Sequence, residues 1–224
     1  MSIYTDKMLL VIGGEEIVNA FFVEKILNEG AREVRILGES ETELQSLRES
    51  LNVELGTLNQ KLRFYVGDRS DNAYLEEAMA GVDYVLYFPA VPRAFDCEVA
   101  PAENTVTFLN TVSGVVHSAI DCRVKKLVVV RTGLETCHLK PETSDMPALL
   151  AALMETVVVA EARYLGPDSA TVICCARMEG NLRPETWNVK LIDYAFENAV
   201  NGDLLIQGND GIERKPCENF EMRL

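Results

Sequence analysis

The fold is decided by residues 8–40, which read MLLVIGGEEIVNAFFVEKILNEGAREVRILGES. This segment opens with an apolar run at 8–12, continues after two glycines into an amphipathic stretch at 17–29, and reaches a second apolar run at 33–37. Short continuous apolar runs predict buried strands, whereas apolar residues spaced three and four apart predict a helix. The segment therefore predicts a strand–helix–strand unit, the building block of parallel sheets.

The same alternation continues along the chain. Further strands are predicted at 62–66, 84–88, 126–130 and 171–176, and further helices at 41–51, 73–79, 104–119 and 146–164. Strands that are apolar on both faces and alternate with helices indicate a doubly wound parallel sheet, covered by helices on each side. The fold class predicted from the pattern is thus α/β.

The sequence becomes more polar from residue 182 onward. Its weaker periodicity leaves one helix candidate at 189–201 and one strand candidate at 204–207. We therefore predict an α/β domain over 1–181 and an abbreviated C-terminal region over 182–224.

Charge and hydropathy exclude several classes of partner. The formal net charge of -14 disfavours nucleic acid, whose phosphates require Lys and Arg, and also an anionic membrane surface. No apolar run approaches the roughly 20 residues that cross a bilayer. The N-terminal sequence MSIYTDKMLLVIGG fits a first buried strand better than a signal peptide, so we expect a cytoplasmic protein.

The cysteines and histidines give no indication of a metal site. None of the six cysteines lies in a Cys-x-x-Cys pair, and the chain has only two histidines. Reduced, buried thiols are therefore expected, without a bound metal. Cys174 and Cys175 are adjacent within an apolar run, so their side chains should point to opposite faces of a strand.

Four stretches together carry a resemblance to a known family. They are residues 11–40, residues 62–90 with G-D-x-x-D and G-V-D-Y-V, residues 124–133 (VKKLVVVRTG) and residues 176–182 (ARMEGNL). Their order and spacing resemble the extended short-chain dehydrogenase/reductase family, in its nucleotide-sugar 4,6-dehydratase/epimerase branch of polysaccharide biosynthesis. The resemblance implies a Rossmann-like NAD(P)-binding fold with a truncated C-terminal substrate region. It also implies a nucleotide-sugar ligand and a homodimer through helices 104–119 and 146–164.

The glycine loop departs from that family's pattern. The family has T-G-x-x-G-x-x-G after the first strand, and of these glycines only Gly13 is retained, followed by Gly14; Glu16 and Asn19 stand at the other two positions. The missing glycines normally allow close approach of the pyrophosphate and of the helix. Carboxylates at a helix start also compete with an anion for the same dipole. We therefore expect no cofactor, or NAD or NADP if one binds.

Two acidic residues remain candidates for contacting a dinucleotide. Glu39, after the second strand, either accepts a hydrogen bond from a ribose hydroxyl or lies in a solvated acidic loop. Asp68 matches the family's adenine-contacting aspartate, and it is equally suited to cap the helix that follows.

The family's catalytic residues are also largely missing. The family uses Tyr-x-x-x-Lys, in which the lysine lowers the pKa of the tyrosine; here Pro147 and Ala151 stand at those positions. Thr132 matches the family's companion Ser/Thr. Arg177 and Asn181 match the segment that holds a nucleotide-sugar diphosphate, and a structural role is the alternative for both.

Three functions are compatible with this pattern. The first is a catalytically degenerate relative of nucleotide-sugar dehydratases and epimerases that acts by binding or assembly. The second is an active NAD(P)-dependent enzyme with an unusual site, and the third is a nucleotide-binding sensor without turnover. The combined loss of the glycines, the tyrosine and the lysine favours the first.

Overall fold

The computed structural model describes residues 2–13, 20–55, 60–92, 98–132, 146–165, 169–179, 193, 195–197, 199, 202–207 and 213–216. The strands are β1 (Met8–Ile12), β2 (Glu33–Gly38), β3 (Leu62–Val66), β4 (Tyr84–Tyr87), β5 (Lys126–Thr132), β6 (Val172–Glu179), β7 (Gly202–Gln207) and β8 (Glu213–Pro216). The helices are α1 (Ala20–Asn28), α2 (Glu41–Leu55), α3 (Asn72–Met79), α4 (Pro101–Asp121) and α5 (Met146–Leu165).

All the strands belong to one sheet, in the order β3-β2-β1-β4-β5-β6-β7-β8. Neighbouring strands from β3 to β7 are parallel, and β8 runs antiparallel to β7. The order of the first six strands is that of a Rossmann sheet, in which the chain winds outward in both directions from β1. The predicted α/β fold is confirmed.

Two apolar layers cover the faces of the sheet. One contains buried residues of α1 and α2 together with Ala195, Phe196 and Ala199; the other contains those of α3, α4 and α5. Cys174 belongs to the first layer and Cys175 to the second, as predicted for adjacent residues of a strand. Burial on both faces makes the sheet a rigid platform for the loops at its carboxyl edge.

Several elements extend beyond their predicted bounds for identifiable reasons. Helix α4 begins at Pro101, because proline fits the first helical turn, where its missing N–H leaves no bond unmade. Strands β5 and β6 run on together as far as the pair Thr132 and Met178. Strand β8 was not predicted, because its sequence ERKP has no apolar residue besides its proline.

The predicted C-terminal region contributes to the same sheet. Its strand candidate is confirmed as β7, with β8 following it. In its helix candidate, residues 193 and 195–197 are helical, and the remainder lies outside the described residues. The division of the chain at residue 181 remains a prediction.

Two features are absent from the described ranges. None of their helices is long and apolar enough to cross a membrane. In the same ranges, His, Cys, Asp and Glu side chains form no group that could hold a metal ion.

Candidate functional site

The sheet reverses its winding direction between β1 and β4. In doubly wound sheets the loops diverge at this point and leave a crevice at the carboxyl ends of the strands, where ligands bind. The backbone N–H of Phe88, just after β4, donates to the carbonyl of Ile12 at 2.9 Å, and that of Gly13, just after β1, donates to the carbonyl of Leu37 at 2.9 Å. These bonds fix both residues at the floor of the crevice.

Gly13 is closely covered on one side. Its φ is +70°, and a Cβ atom added to it would lie 2.5 Å from the carbonyl oxygen of Phe88 and 2.8 Å from Nη1 of Arg69. Only glycine adopts this backbone conformation without strain and leaves room for these atoms. Gly13, which the sequence predicted as a site residue, therefore occupies a sterically constrained position.

Arg69 joins the ends of three strands. It follows β3, its Nε lies 2.8 Å from Oε1 of Glu39, which follows β2, and its Nη1 reaches the space over Gly13, which follows β1. The backbone N–H of Arg69 also donates to Oε1 of Glu39, at 3.4 Å. Arg69 is only 8% exposed, so its guanidinium is largely removed from solvent.

Glu39 is held in its ionised form by this contact. The hydrogen bond from the Arg69 side chain lowers the pKa of Glu39, against the opposing effect of partial burial. The Glu39 side chain is 47% exposed. Glu39 is thus partly exposed, as the solvated-loop prediction expects, but that prediction did not include the Arg69 guanidinium that pairs with its carboxylate.

Asp68 does not cap helix α3. Its Oδ1 accepts the backbone N–H of Ser70 at 2.7 Å, and this bond lowers the pKa of Asp68. The cap is Asp71, whose carboxylate accepts the N–H groups of Ala73 and Tyr74. The capping prediction for Asp68 is therefore wrong, because the chain turns once more before the helix begins. Its contact with adenine remains a prediction.

Tyr87 at the carboxyl end of β4 is not suited to proton transfer. It is 1% exposed, and burial raises the pKa of its phenol, although the charge of Arg69 acts in the opposite direction. A general acid or base works best when its pKa is near the working pH. Tyr87 therefore serves the core.

The predicted catalytic positions lie on β5 and α5. Thr132 is the last residue of β5 and pairs with Met178. On α5, Pro147 lies in the first turn and Ala151 is buried, at 7% exposed. Neither of these two side chains has a group that transfers a proton.

The remaining predicted site residues are only partly covered by the structure. Arg177 lies in β6 between Arg131 of β5 and Leu205 of β7. Gly14 and Asn181 lie outside the described residues, as do Glu16 and Asn19, which replace two of the family's glycines. The structure thus brings together Gly13, Glu39 and the turn containing Asp68.

Arg69 was not singled out from the sequence. The available signal was its position directly after Asp68 in G-D-x-x-D, at the carboxyl end of a predicted strand. A dinucleotide at this edge needs the space over Gly13 and an acceptor near Glu39. In this arrangement Gly13 and Glu39 do not fit a dinucleotide, because the guanidinium of Arg69 lies between these two residues.

Comparison with known proteins identifies the family. Residues 9–175 match the family described as polysaccharide biosynthesis protein. The UDP-glucose 4-epimerase of Rickettsia conorii is 28% identical over 240 residues, covering 91% of this chain and 67% of that protein. The corresponding epimerase of Rickettsia prowazekii is 27% identical over 241 residues, with the same coverage.

Solved structures share the fold. DesIV of Streptomyces venezuelae, a dTDP-glucose 4,6-dehydratase with NAD and TYD bound, superposes with a TM-score of 0.65 at 19% identity, over 90% of this chain and 76% of that one. Pen of Bacillus thuringiensis superposes with a TM-score of 0.67 at 22% identity, over 80% of this chain and 52% of that one. The present chain thus spans about half the length of Pen.

A third solved structure shares the fold. The enzyme WbmF of Bordetella bronchiseptica, in complex with NAD+ and UDP, superposes with a TM-score of 0.58 at 18% identity, over 80% of this chain and 50% of that one. WbmF and DesIV are both described with NAD, so the prediction that no cofactor binds this chain gains no support from these comparisons. The family match, the epimerase relatives and the sheet order together establish that this chain belongs to the extended short-chain dehydrogenase/reductase family, in its nucleotide-sugar dehydratase/epimerase branch.

Proposed function

We propose that this protein is a catalytically degenerate nucleotide-sugar dehydratase/epimerase relative that acts by binding or assembly in polysaccharide biosynthesis. One observation carries the proposal. None of the seven tyrosines in the sequence is followed four residues later by a lysine. The proton-transfer pair of the family therefore has no counterpart in any register.

The chemistry of the aligned positions supports the same conclusion. In the family, a lysine one helical turn from the tyrosine lowers the pKa of the phenol. On α5 the aligned residues are Pro147 and the buried Ala151. An active enzyme would need a different proton shuttle, and Tyr87 is a poor one because burial raises its pKa.

The second candidate function is a nucleotide sensor without turnover. It is favoured by Glu39, whose carboxylate is kept ionised by Arg69 and stays about half exposed at the carboxyl end of β2. An ionised carboxylate at that place suits the hydroxyls of a ribose. Binding of NAD without product formation would select this function over assembly alone.

The test combines binding and turnover on the purified protein. The protein is titrated with NAD, NADP, UDP-glucose and UDP-N-acetylglucosamine while its melting temperature is followed. A ligand at 100 times its Kd adds about 2.7 kcal/mol to the free energy of unfolding. For a chain of this size that corresponds to a rise of roughly 5–10 °C in Tm.

Turnover is measured in parallel. The protein is incubated with each UDP-sugar and NAD, and the sugar products are separated by chromatography, with an active UDP-glucose 4-epimerase as the positive control. We expect no epimer and no dehydrated sugar above the level of a protein-free control. Product formation by this chain would overturn the proposal of degeneracy.

We also propose a homodimer through α4 and α5. The two helices pack against each other, and His117 of α4 lies 3.6 Å from the carboxylate of Glu161 on α5. Val106 of α4 is 58% exposed and Leu153 of α5 is 37% exposed. Apolar side chains on the outer surface of paired helices favour packing against a second copy.

The proposed compartment is the cytoplasm. Cys174 and Cys175 are both buried in the strand β6, which suits reduced thiols of an intracellular protein. Labelling with a thiol reagent after denaturation in the absence of a reductant tests this state, because both thiols are then accessible.

A further inference from the structure

We propose that the side chain of Arg69 acts as a built-in occupant of the nucleotide crevice, so that a dinucleotide binds only after this side chain leaves Gly13 and Glu39. The inference deepens the proposed function, because it concerns the regulation of the same crevice. It assigns a role to a residue that the family's sequence pattern does not single out.

The first argument is positional. A dinucleotide in a Rossmann crevice contacts the glycine loop after β1 with its pyrophosphate and the acidic residue after β2 with its ribose. The guanidinium of Arg69 touches both of these places, with Nε 2.8 Å from Glu39 and Nη1 2.8 Å from the Cβ position of Gly13. A ligand that contacts Gly13 and Glu39 together must therefore displace it.

The second argument concerns space. Nη1 of Arg69 lies 2.8 Å from the Cβ position of Gly13, which places the guanidinium directly against Gly13, so that it takes up space beside this residue. The other near neighbour of that position is the backbone carbonyl of Phe88, at 2.5 Å, and the N–H of Phe88 is bonded to β1. Of these two neighbours, the arginine side chain is the one that can rotate away.

The third argument concerns charge. The carboxylate of Glu39 is engaged through Oε1 by two N–H groups of Arg69. Charge-assisted hydrogen bonds are stronger than neutral ones, and a largely buried arginine loses more than an exposed one when its partner is removed. Displacement of Arg69 therefore lowers the apparent affinity for any ligand that requires it.

The same geometry defines how the Arg69 side chain can move out of the crevice. Arg69 lies in the turn between β3 and α3, and its backbone is held by its own N–H to Glu39. Rotation of its side chain toward solvent leaves the strands in place and exposes Gly13 and the carboxylate of Glu39 together. An open crevice is thus available without rearrangement of the sheet.

The experiment measures NAD binding by isothermal titration calorimetry. Arg69→Ala removes the occupant, and we expect NAD to bind about tenfold more tightly than to the wild type, as loss of a charge-assisted contact in competition with the ligand implies. Arg63→Ala is the matched control, because it removes an arginine from β3 whose side chain is 54% exposed. This control should leave the NAD affinity unchanged.

A second pair of variants tests the mechanism. Arg69→Val removes the guanidinium but leaves more aliphatic bulk than alanine, and it replaces Arg69→Ala if the alanine variant fails to fold, as judged by circular dichroism. Glu39→Ala in the Arg69→Ala background should reverse part of the gain, because it removes the acceptor for the ribose. The gain itself supports the occupant model.

The opposite result would overturn the inference. If Arg69 instead attracts the diphosphate of NAD, Arg69→Ala will bind NAD more weakly than the wild type. Equal affinities, or no measurable binding by either folded protein, contradict it as well. These outcomes are separate from turnover: product formation by the wild type sinks the proposed function, whereas the affinity ratio alone decides the role of Arg69.

Discussion

The Nε atom of Arg69 lies 2.8 Å from Oε1 of Glu39 and thereby connects the turn after β3 to the residue after β2. The contact joins residues that are 30 positions apart in the sequence. It places a cation beside the carboxylate of Glu39 at the carboxyl ends of β2 and β3. The ionisation of Glu39 is its most direct experimental signature.

We predict that Glu39 titrates below its ordinary pKa of 4.5, because the side-chain hydrogen bond from Arg69 favours the carboxylate. Carbon-detected NMR of the Glu39 carboxyl group should show this midpoint, and Arg69→Ala should raise it toward 4.5. A carboxyl group whose pKa is depressed on folding contributes stability above its unfolded pKa and loses it as the pH falls through the folded pKa. The stability difference between the wild type and Arg69→Ala should accordingly shrink as the pH falls below 4.5.

Gly13→Ala should destabilise the protein more than Gly81→Ala. Both glycines have positive φ, +70° and +73°, but a Cβ at Gly13 meets the carbonyl oxygen of Phe88 at 2.5 Å, whereas none of the described atoms lies within 4 Å of a Cβ at Gly81. The conformational strain alone costs about 1–2 kcal/mol, and the contact with the backbone adds to it. Urea denaturation of both variants measures the difference, and equal losses would contradict the steric account.

Tyr4→Phe should lower the free energy of unfolding by about 1 kcal/mol, because a buried hydrogen bond is lost. The phenol of Tyr4, which has no exposed surface, donates to Oδ1 of Asp193 at 2.9 Å. Asp193 also accepts from Lys25 of α1, so the bond ties the start of the chain to its C-terminal part. Tyr164→Phe is the control, because Tyr164 is 88% exposed, and its substitution should leave urea denaturation unchanged.

Val106→Glu and Leu153→Glu should each shift the protein toward a monomer. A carboxylate in an apolar interface lacks a partner and loses its hydration. Analytical ultracentrifugation at micromolar concentration compares these variants with Val99→Glu, a control in which another exposed valine, 70% accessible, is changed outside α4. A wild-type protein that sediments as a monomer would exclude the proposed interface.

Strand β1 was predictable because Met8–Ile12 is apolar at every position, and all five residues are buried in the structure. The polar strand β8 was not predictable, because only its pairing with β7 makes it a strand. The same limit applies to Asp68 and Asp71, which are equally good caps by residue type and are separated only by the path of the backbone.

The candidate site was predictable in its parts and not in its arrangement. Gly13, Glu39 and Asp68 follow three predicted strands, and the parallel sheet brings the ends of such strands together. The role of Arg69 depends on where its long side chain lies relative to two residues distant in sequence, Gly13 and Glu39. No local pattern contains that information.

Strand β8 also affects how readily another chain could add a strand to the sheet. Its four residues, Glu213–Pro216, are three charged residues and a proline, and they line the margin of the sheet beside the more apolar β7. A proline lacks the N–H that a further strand would bind, and charged residues in a strand disfavour the addition of another strand. We therefore expect β8 to disfavour the addition of a further strand beside β7, and we expect its removal to leave β7 open to such pairing.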